Sequence, residues 1–279
     1  MFARERHQSI TDLLSRQHKA TVPELQAALG VSPATLRRDL TELEAGGRVI
    51  RMHGAVVHPA YFRGEPTLAQ KSQVAAAAKR DIAAAAAELA PNEGTVFVDA
   101  GSTCLAFGRL LFSRTGLTIV TNSLPLAALA CEAQAAARVI CLGGEVRAVS
   151  GALVDSGAIA WLSTLRADWC FVSASGLSVE DGASTTELRE AAVKQEMMKR
   201  AARTVLLADV RKWERPATVS FAPWSAFEFW VTDADLQSVR AVKEQGLRVV
   251  SVSAAGSDGP CSPSRPGRKA MTTKRKESS

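Results

Sequence analysis

No run of about 18 apolar residues occurs in the sequence, and that is the length a helix needs to cross the hydrocarbon of a bilayer. No membrane partner is therefore expected. No C-x-x-C pair occurs either: Cys104, Cys131, Cys141, Cys170 and Cys261 are odd in number and scattered, a pattern that suits neither a disulfide framework nor a zinc site. Four of the five are expected to be small buried residues in a reducing compartment. Near the N-terminus Arg4, Glu5, Arg6 and His7 stand where a secretory signal would place its apolar core, so the expected location is cytoplasmic. Internal repeats and heptad runs are missing as well. No metal and no cofactor is expected.

Positive charge is in modest excess and unevenly placed. Of a net +6, residues 1–57 carry eight Lys/Arg against six Asp/Glu and residues 251–279 carry six against two, so the stretch between them is neutral. A basic balance can mark a nucleic-acid partner, but here it is confined to the two ends. The middle of the chain is not expected to be a nucleic-acid surface.

The N-terminal end has the form of a DNA reader. Ser32 can cap a helix that opens at Pro33, whose missing N–H the first turn would leave unpaired in any case. Leu36, Leu40 and Leu43 then fall on one apolar stripe, and Gly46-Gly47 ends it. Thr35, Arg37, Arg38 and Thr41 are thereby turned outward. Two arginines on an amphipathic helix are by themselves an ordinary solvated face. What lifts them above that is the setting: Thr21 and Glu24 form a capping box for a short helix to Leu29, with Leu25 and Leu29 as its buried pair, and Gly30 makes the turn between. A helix over about residues 4–16 offers Ile10, Leu13 and Leu14 to the same core. Arg48–Arg51 and Ala55–Val57 read as a strand pair about a His53-Gly54 turn. The whole is a winged helix-turn-helix, with Ser32, Pro33, Thr35, Arg37, Arg38, Thr41, Arg51 and His53 as the candidate contacts to double-stranded DNA.

These residues resemble those of the DeoR family of bacterial transcription regulators. Val31-Ser32-Pro33-Ala34-Thr35-Leu36-Arg37-Arg38-Asp39-Leu40 matches that family's V-S-x-x-T-[IL]-R-R-D-L helix, and Arg51-Met52-His53-Gly54-Ala55 its R-x-H-G-G-A wing, with Ala55 in place of the second glycine.

Beyond the wing, residues 58–71 read as an irregular linker and Lys71–Ala90 as one alanine-rich helix. Short apolar strands then alternate with helices: strands at 95–99, 117–120, 138–142, 169–174, 204–208, 228–232 and 248–251, helices at 102–112, 124–132, 156–165, 187–202 and 235–245. That rhythm predicts an α/β domain over residues 72–252 with a mostly parallel sheet covered on both faces. The tail, residues 253–279, is rich in Gly, Ser, Pro, Lys and Arg and is expected to be disordered.

Ligands of such sheets bind beyond the C-terminal strand ends. Three polar turns fall there: Asp99-Ala100-Gly101-Ser102-Thr103 at a helix N-terminus suited to a phosphate, Thr121-Asn122-Ser123, and Gly143-Gly144-Glu145-Val146-Arg147. The same family resemblance extends over nearly the whole of residues 3–250. It adds Ser175-Gly176, Lys194, and Asp209 to Trp213 to the set, with Lys212 as a further cation, and implies a sensor fold like that of ribose-5-phosphate isomerase and CoA-transferase domains. A phosphorylated sugar or related anionic metabolite is the effector it implies. Two departures from the family pattern are Asp155, where a glycine is common, and Arg211, where a serine is.

An enzyme reading would cast Asp99, Glu187, Lys194, Asp209 and Lys212 as acids and bases of an isomerase-like site, but it leaves the winged module without purpose. A purely architectural DNA-binding role leaves the polar strand ends unexplained. The expected function is a transcriptional repressor of a carbohydrate operon that is not an enzyme. It binds operator DNA as a homo-oligomer, dimer or tetramer, under the control of a phosphorylated sugar.

Overall fold

The computed structural model describes residues 2–52, 54–59, 64–235, 237, 239–244 and 246–252. His53, Tyr61, Phe62 and the tail from residue 253, with Cys261, lie outside the described residues.

Leucine spacing builds the N-terminal module. Helices α1 (Ala3–Gln17), α2 (Val22–Leu29) and α3 (Pro33–Ala45) turn Ile10, Leu14, Leu25, Leu36, Leu40 and Leu43 into one core, with Leu13 and Leu29 only half-buried at its rim. Thr21 and Glu24 complete the expected capping box, Gly30 takes the left-handed conformation after α2, and Ser32 accepts from the Thr35 amide at 3.2 Å. The hairpin is β2 (Ile50–Met52) with β3 (Ala55–Val57), a shift of two residues from the expected first strand. A third strand, β1 (Lys19–Thr21), pairs antiparallel with β3. It is too short to show a period in the sequence.

The expected single helix over 71–90 is two. Helix α4 (Leu68–Gln73) starts at a Thr67 capping box inside the stretch read as irregular linker, and α5 (Ala76–Leu89) follows a break in which Ala75 has φ +49°. Propensity alone favours an unbroken alanine-rich helix. The tertiary partners that outweigh it are the Lys79 ammonium, which donates to the carbonyls of Lys71 and Val74, and the Ala75 amide, which donates to Ala45 at 3.0 Å.

The larger domain continues with β4 (Glu93–Val98), α6 (Ser102–Leu110), β5 (Gly116–Thr121), α7 (Leu124–Glu132), β6 (Arg138–Cys141), β7 (Glu145–Arg147), β8 (Ala152–Val154), α8 (Ser156–Thr164) and β9 (Ala167–Ser173). After these come β10 (Gly176–Ser178), β11 (Gly182–Thr185), α9 (Leu188–Lys199), β12 (Ala201–Leu207), β13 (Val219–Ala222), β14 (Phe229–Thr232), α10 (Arg240–Lys243) and β15 (Arg248–Ser251). Among the described residues the helix expected over 235–245 is limited to the four residues of α10.

Seven of these strands form a parallel sheet in the order β15-β14-β12-β9-β4-β5-β6. Side chains alternate across it, so that Val96 and Val98 of β4 pack beneath α5, α6 and α7 while Phe97 packs with α8 and α9. β7 pairs with β8, and β10, β11 and β13 form a small antiparallel sheet; none of these was apparent from apolar spacing. Cys104 and Cys170 are buried as expected, but Cys131 is exposed at the end of α7 and Cys141 is half-buried on the edge strand β6, where only one side has a neighbour.

Strand order locates the site. The chain runs outward from β4 through β5 to β6, then returns to place β9 on the other side of β4. The loops leaving β4 and β9 therefore part in opposite directions and open a crevice at their C-terminal ends.

Candidate functional site

Two surfaces carry chemistry. On α3 the side chains of Arg37, Arg38 and Thr41 are exposed, and the two guanidinium groups make no hydrogen bond or ion pair among the described residues. Thr35 is half-buried, and its hydroxyl lies 2.9 Å from that of Ser32. Pro33 is exposed in the first turn, and Thr41 receives a contact from Arg51 Nη1 at 3.4 Å. Asp39, which follows the arginine pair, points the other way. It is 2% exposed and accepts a two-pronged bond from Arg6 at 2.6 and 2.9 Å, with His7 Nε2 at 3.2 Å from it. Hydrogen bonding from Arg6 holds the Asp39 carboxyl below the ordinary aspartate value. This fork fixes the rotation of α3 on α1, and with it the direction in which the arginines face.

The second surface is a cavity of about 310 Å³ at the β4/β9 crevice. Ala100, Gly101, Ser102 and Thr103 line it from the end of β4, and Ser173, Ala174 and Ser175 from the end of β9. Gly101 has φ +133° and a Cβ there would collide with the Ser173 hydroxyl, so this turn requires glycine. Because Gly101 is also the cap of α6, that helix begins without a capping side chain. Its first amides and the Ser102 and Thr103 hydroxyls, which bond to nothing among the described residues, face the cavity at the positive end of the helix.

At the cavity floor Lys194, which lines it, forms an ion pair with Asp99 behind it, the two being 4% and 1% exposed. Asp99 also accepts from the amide and hydroxyl of Ser173 at 3.1 Å each, and Lys194 donates to the Ser173 carbonyl at 3.1 Å. Burial works against the Lys194 charge, yet the attraction of Asp99 and Glu190 raises the ammonium above the ordinary lysine value. A second network runs along one wall. Arg147 bonds Glu65 and Glu190, Lys71 bonds Glu65 at 2.7 Å, and Ser150 donates to Glu190 at 2.6 Å. Burial alone would raise the Glu65 carboxyl, but the bonds from Arg147 and Lys71 hold it at about 2.

The remaining expected residues support the crevice from further away. Asn122 Oδ1 accepts from the Ala100 amide at 2.8 Å, Thr121 donates to the Val98 carbonyl at 2.6 Å, and Ser123 caps α7. All three are buried and none lines the cavity. Gly143 and Gly144 lie apart from it, Gly144 packing on Val154 and Asp155, while Glu145 pairs with Arg189. Asp155 caps α8 and accepts from the Glu145 amide, so it serves a turn. Asp209 is buried and holds Arg211, and Lys212 lines the cavity.

Ser173, Thr185, Glu190, Lys71 and Lys79 also line the cavity without having been singled out from the sequence, and Ser175, which the family resemblance had added to the set, lines it with them. The strand-end argument applies equally to Ser173 and Ser175. Lys79 shares a helical stripe with Ile82, Ala83 and Ala86, which marks it as inward-facing. The far wall is the winged module itself: Glu44 and Gly47 at the end of α3, with Val49 and Ile50.

Two family models match the chain. The family model "DeoR-like helix-turn-helix domain" matches residues 6–60, and "DeoR C terminal sensor domain" matches residues 74–234. The HTH-type transcriptional regulator GlpR of Haloferax volcanii is 34% identical over 90% of this chain and 98% of its own length. The glycerol-3-phosphate regulon repressor of Escherichia coli is 30% identical over 82% of this chain and 90% of its own. Among solved structures, ribose 5-phosphate isomerase A from Neisseria gonorrhoeae overlaps 48% of this chain and 52% of that one at 16% identity and a TM-score of 0.36.

Proposed function

The chain belongs to the DeoR family of transcriptional regulators, and on that footing we propose that it is a cytoplasmic repressor of a carbohydrate-metabolism operon whose hold on operator DNA is set by a phosphorylated sugar or polyol. Residues 1–57 bind the DNA, through Ser32, Pro33, Thr35, Arg37, Arg38, Thr41 and Arg51. Residues 72–252 bind the effector and carry the contacts between copies. One recognition helix reads few base pairs, each worth about 1–3 kcal/mol in discrimination. A dimer or tetramer that presents two helices one DNA turn apart supplies the rest.

The observation that carries the proposal is the composition of the cavity wall. One side is the α6 N-terminus with Gly101, Ser102 and Thr103, the other is the end of the recognition helix and the start of the hairpin. A phosphate bonded to the free amides and hydroxyls of α6 gains from the helix terminus and from charge-assisted hydrogen bonds. The rest of the ligand then lies against Glu44, Gly47 and Ile50. Such a ligand has different contacts in the docked and undocked arrangements of the winged module, which is the condition for shifting the population between them. The Escherichia coli relative is named for a small phosphate monoester, the same chemical class. We assign no catalytic step: Asp99 is engaged by Lys194 and Ser173, Glu187 by the α9 N-terminus and Arg189, and Asp209 by Arg211.

Binding of the full chain to the DNA upstream of its own gene, with sugar phosphates and their neutral parents added in turn, tests this. Phosphorylated compounds are expected to change the DNA affinity and neutral parents to leave it alone. Equal effects from both members of each pair would remove the phosphate site, and failure to bind that DNA would remove the repressor assignment.

A further inference from the structure

Among the described residues two of the five cations that line the cavity have a carboxylate of their own: Lys194 has Asp99, and Lys71 has Glu65. Three others share one. Arg211 Nε lies 3.0 Å from Asp209 Oδ1, and Asp209 Oδ2 is buried with no hydrogen-bond partner among the described residues. Lys212, on the same short turn, lines the cavity, and its ammonium makes no hydrogen bond or ion pair among the described residues. Lys79 enters from α5, 5% exposed, and two of its three N–H donors are taken by the Lys71 and Val74 carbonyls.

This arrangement is held in place. Trp213, next after Lys212, packs its ring on Trp230 and Trp224 at centroid distances of 5.5 and 5.9 Å. Burial lowers both lysines against the pull of Asp209, the nearness of Lys71 and Arg211 adds to the fall in each, and Lys212 adds to it for Lys79, which is brought to about 8. A cluster of like charges withdrawn from water is unfavourable unless something of opposite sign enters it.

Resting on the reading of the α6 terminus as a phosphate site, we propose that Lys79, Arg211 and Lys212 form a second anion subsite in the same cavity, and that the effector is doubly acidic: a phosphate monoester bearing a second phosphate or a carboxylate. The subsite also touches the DNA-reading half. Arg211 Nη1 lies 3.4 Å from where a Cβ on Gly47 would be, at the turn that ends α3. An anion that draws Arg211 into the cavity withdraws it from that turn. The second acidic group is thus the part of the ligand that bears on the joint between the modules.

Calorimetry on the full chain with matched probes decides this: glycerol 3-phosphate against 3-phosphoglycerate, and fructose 6-phosphate against fructose 1,6-bisphosphate. In at least one pair the doubly acidic member is expected to bind about tenfold or more tightly. Arg211→Ser should collapse that ratio while keeping the monoester's affinity within about twofold, and Lys212→Gln should lower affinity for the doubly acidic member further. Ratios near one in both pairs, or a ratio that survives Arg211→Ser, would overturn the second subsite and leave the α6 site standing. Loss of monoester binding in Arg211→Ser would overturn it too, by making the cluster part of a single phosphate site. No binding by any of the four probes would overturn the α6 site and the second subsite together.

Discussion

Among the described residues none of Arg37, Arg38, Lys79 and Lys212 has a carboxylate of its own, the two lysines having only a share of Asp209, but the two pairs differ in their surroundings. On α3 the arginines are exposed, and water solvates them at little cost. In the crevice the lysines are shielded and crowded by Arg211 and by Lys71, and their ammonium forms are disfavoured. An unpaired cation in water says little about a ligand, and the case for the arginines rests on the helix that presents them. An unpaired cation inside a cavity is itself an argument for a missing anion. The neighbouring Asp99–Lys194 pair shows the satisfied alternative only one loop away.

Substitutions can sharpen that contrast, beginning with the satisfied pair. Lys194→Met leaves the Asp99 carboxylate buried without its counter-charge and is expected to cost about 3–5 kcal/mol in urea unfolding, part of which Asp99→Asn in the same chain should restore. A cost under about 1 kcal/mol would mean the pair is not desolvated as described. Next in size is the exposed face. Arg37→Ala and Arg38→Ala should each weaken operator binding by about 1–3 kcal/mol where the side chain reads a base, with unfolding free energy unchanged within about 0.5 kcal/mol. A drop that is equal on operator and random DNA would reassign them to phosphate contacts.

The crevice lysines should respond with the opposite sign from Lys194. Lys79 is lowered to about 8 from an ordinary 10.5, so between those values the unfolded chain holds a proton that the folded chain has released. Stability contributed by this group therefore rises as pH climbs from about 8 toward 10.5, and Lys79→Met should flatten that part of the stability profile. For the same reason, doubly acidic ligands should bind less tightly as pH passes upward through about 8. The smallest effect is expected from Lys212→Met, which removes an unpaired charge: without ligand its melting midpoint should stay level or rise. A clear fall would show that Lys212 has a stabilising partner after all.

Much of this was readable from residue order. The caps at Ser32 and Thr21, the leucine stripe of α3 and the alternation of strands with helices are local patterns, and local patterns survive in a sequence. The Gly101 turn was legible because a strand, a glycine and two hydroxyls follow in succession. What was not legible depends on partners far along the chain. The break at Ala75 is set by Ala45, Arg147 is engaged by Glu65 and Glu190, and Asp39 faces inward because Arg6 waits there 33 residues earlier. The strands β7, β8 and β10 have three residues each, too few to display a period, while β11 and β13, no shorter than β6, pair within a small antiparallel sheet outside the run of apolar parallel strands.

The joint at α4 has a consequence for how such chains diversify. Gln70 donates to the carbonyl of Arg51 at 2.7 Å, Ala75 to the carbonyl of Ala45, and Arg211 rests on Gly47. On the winged side every one of these contacts meets main chain or a bare glycine, never a particular side chain. The DNA reader can therefore exchange its outward residues, and so its operator, without renegotiating its attachment. A chimera carrying another member's first 57 residues should couple the old effector to a new promoter, provided that Glu44, Gly47 and Ile50, which line the cavity, are kept.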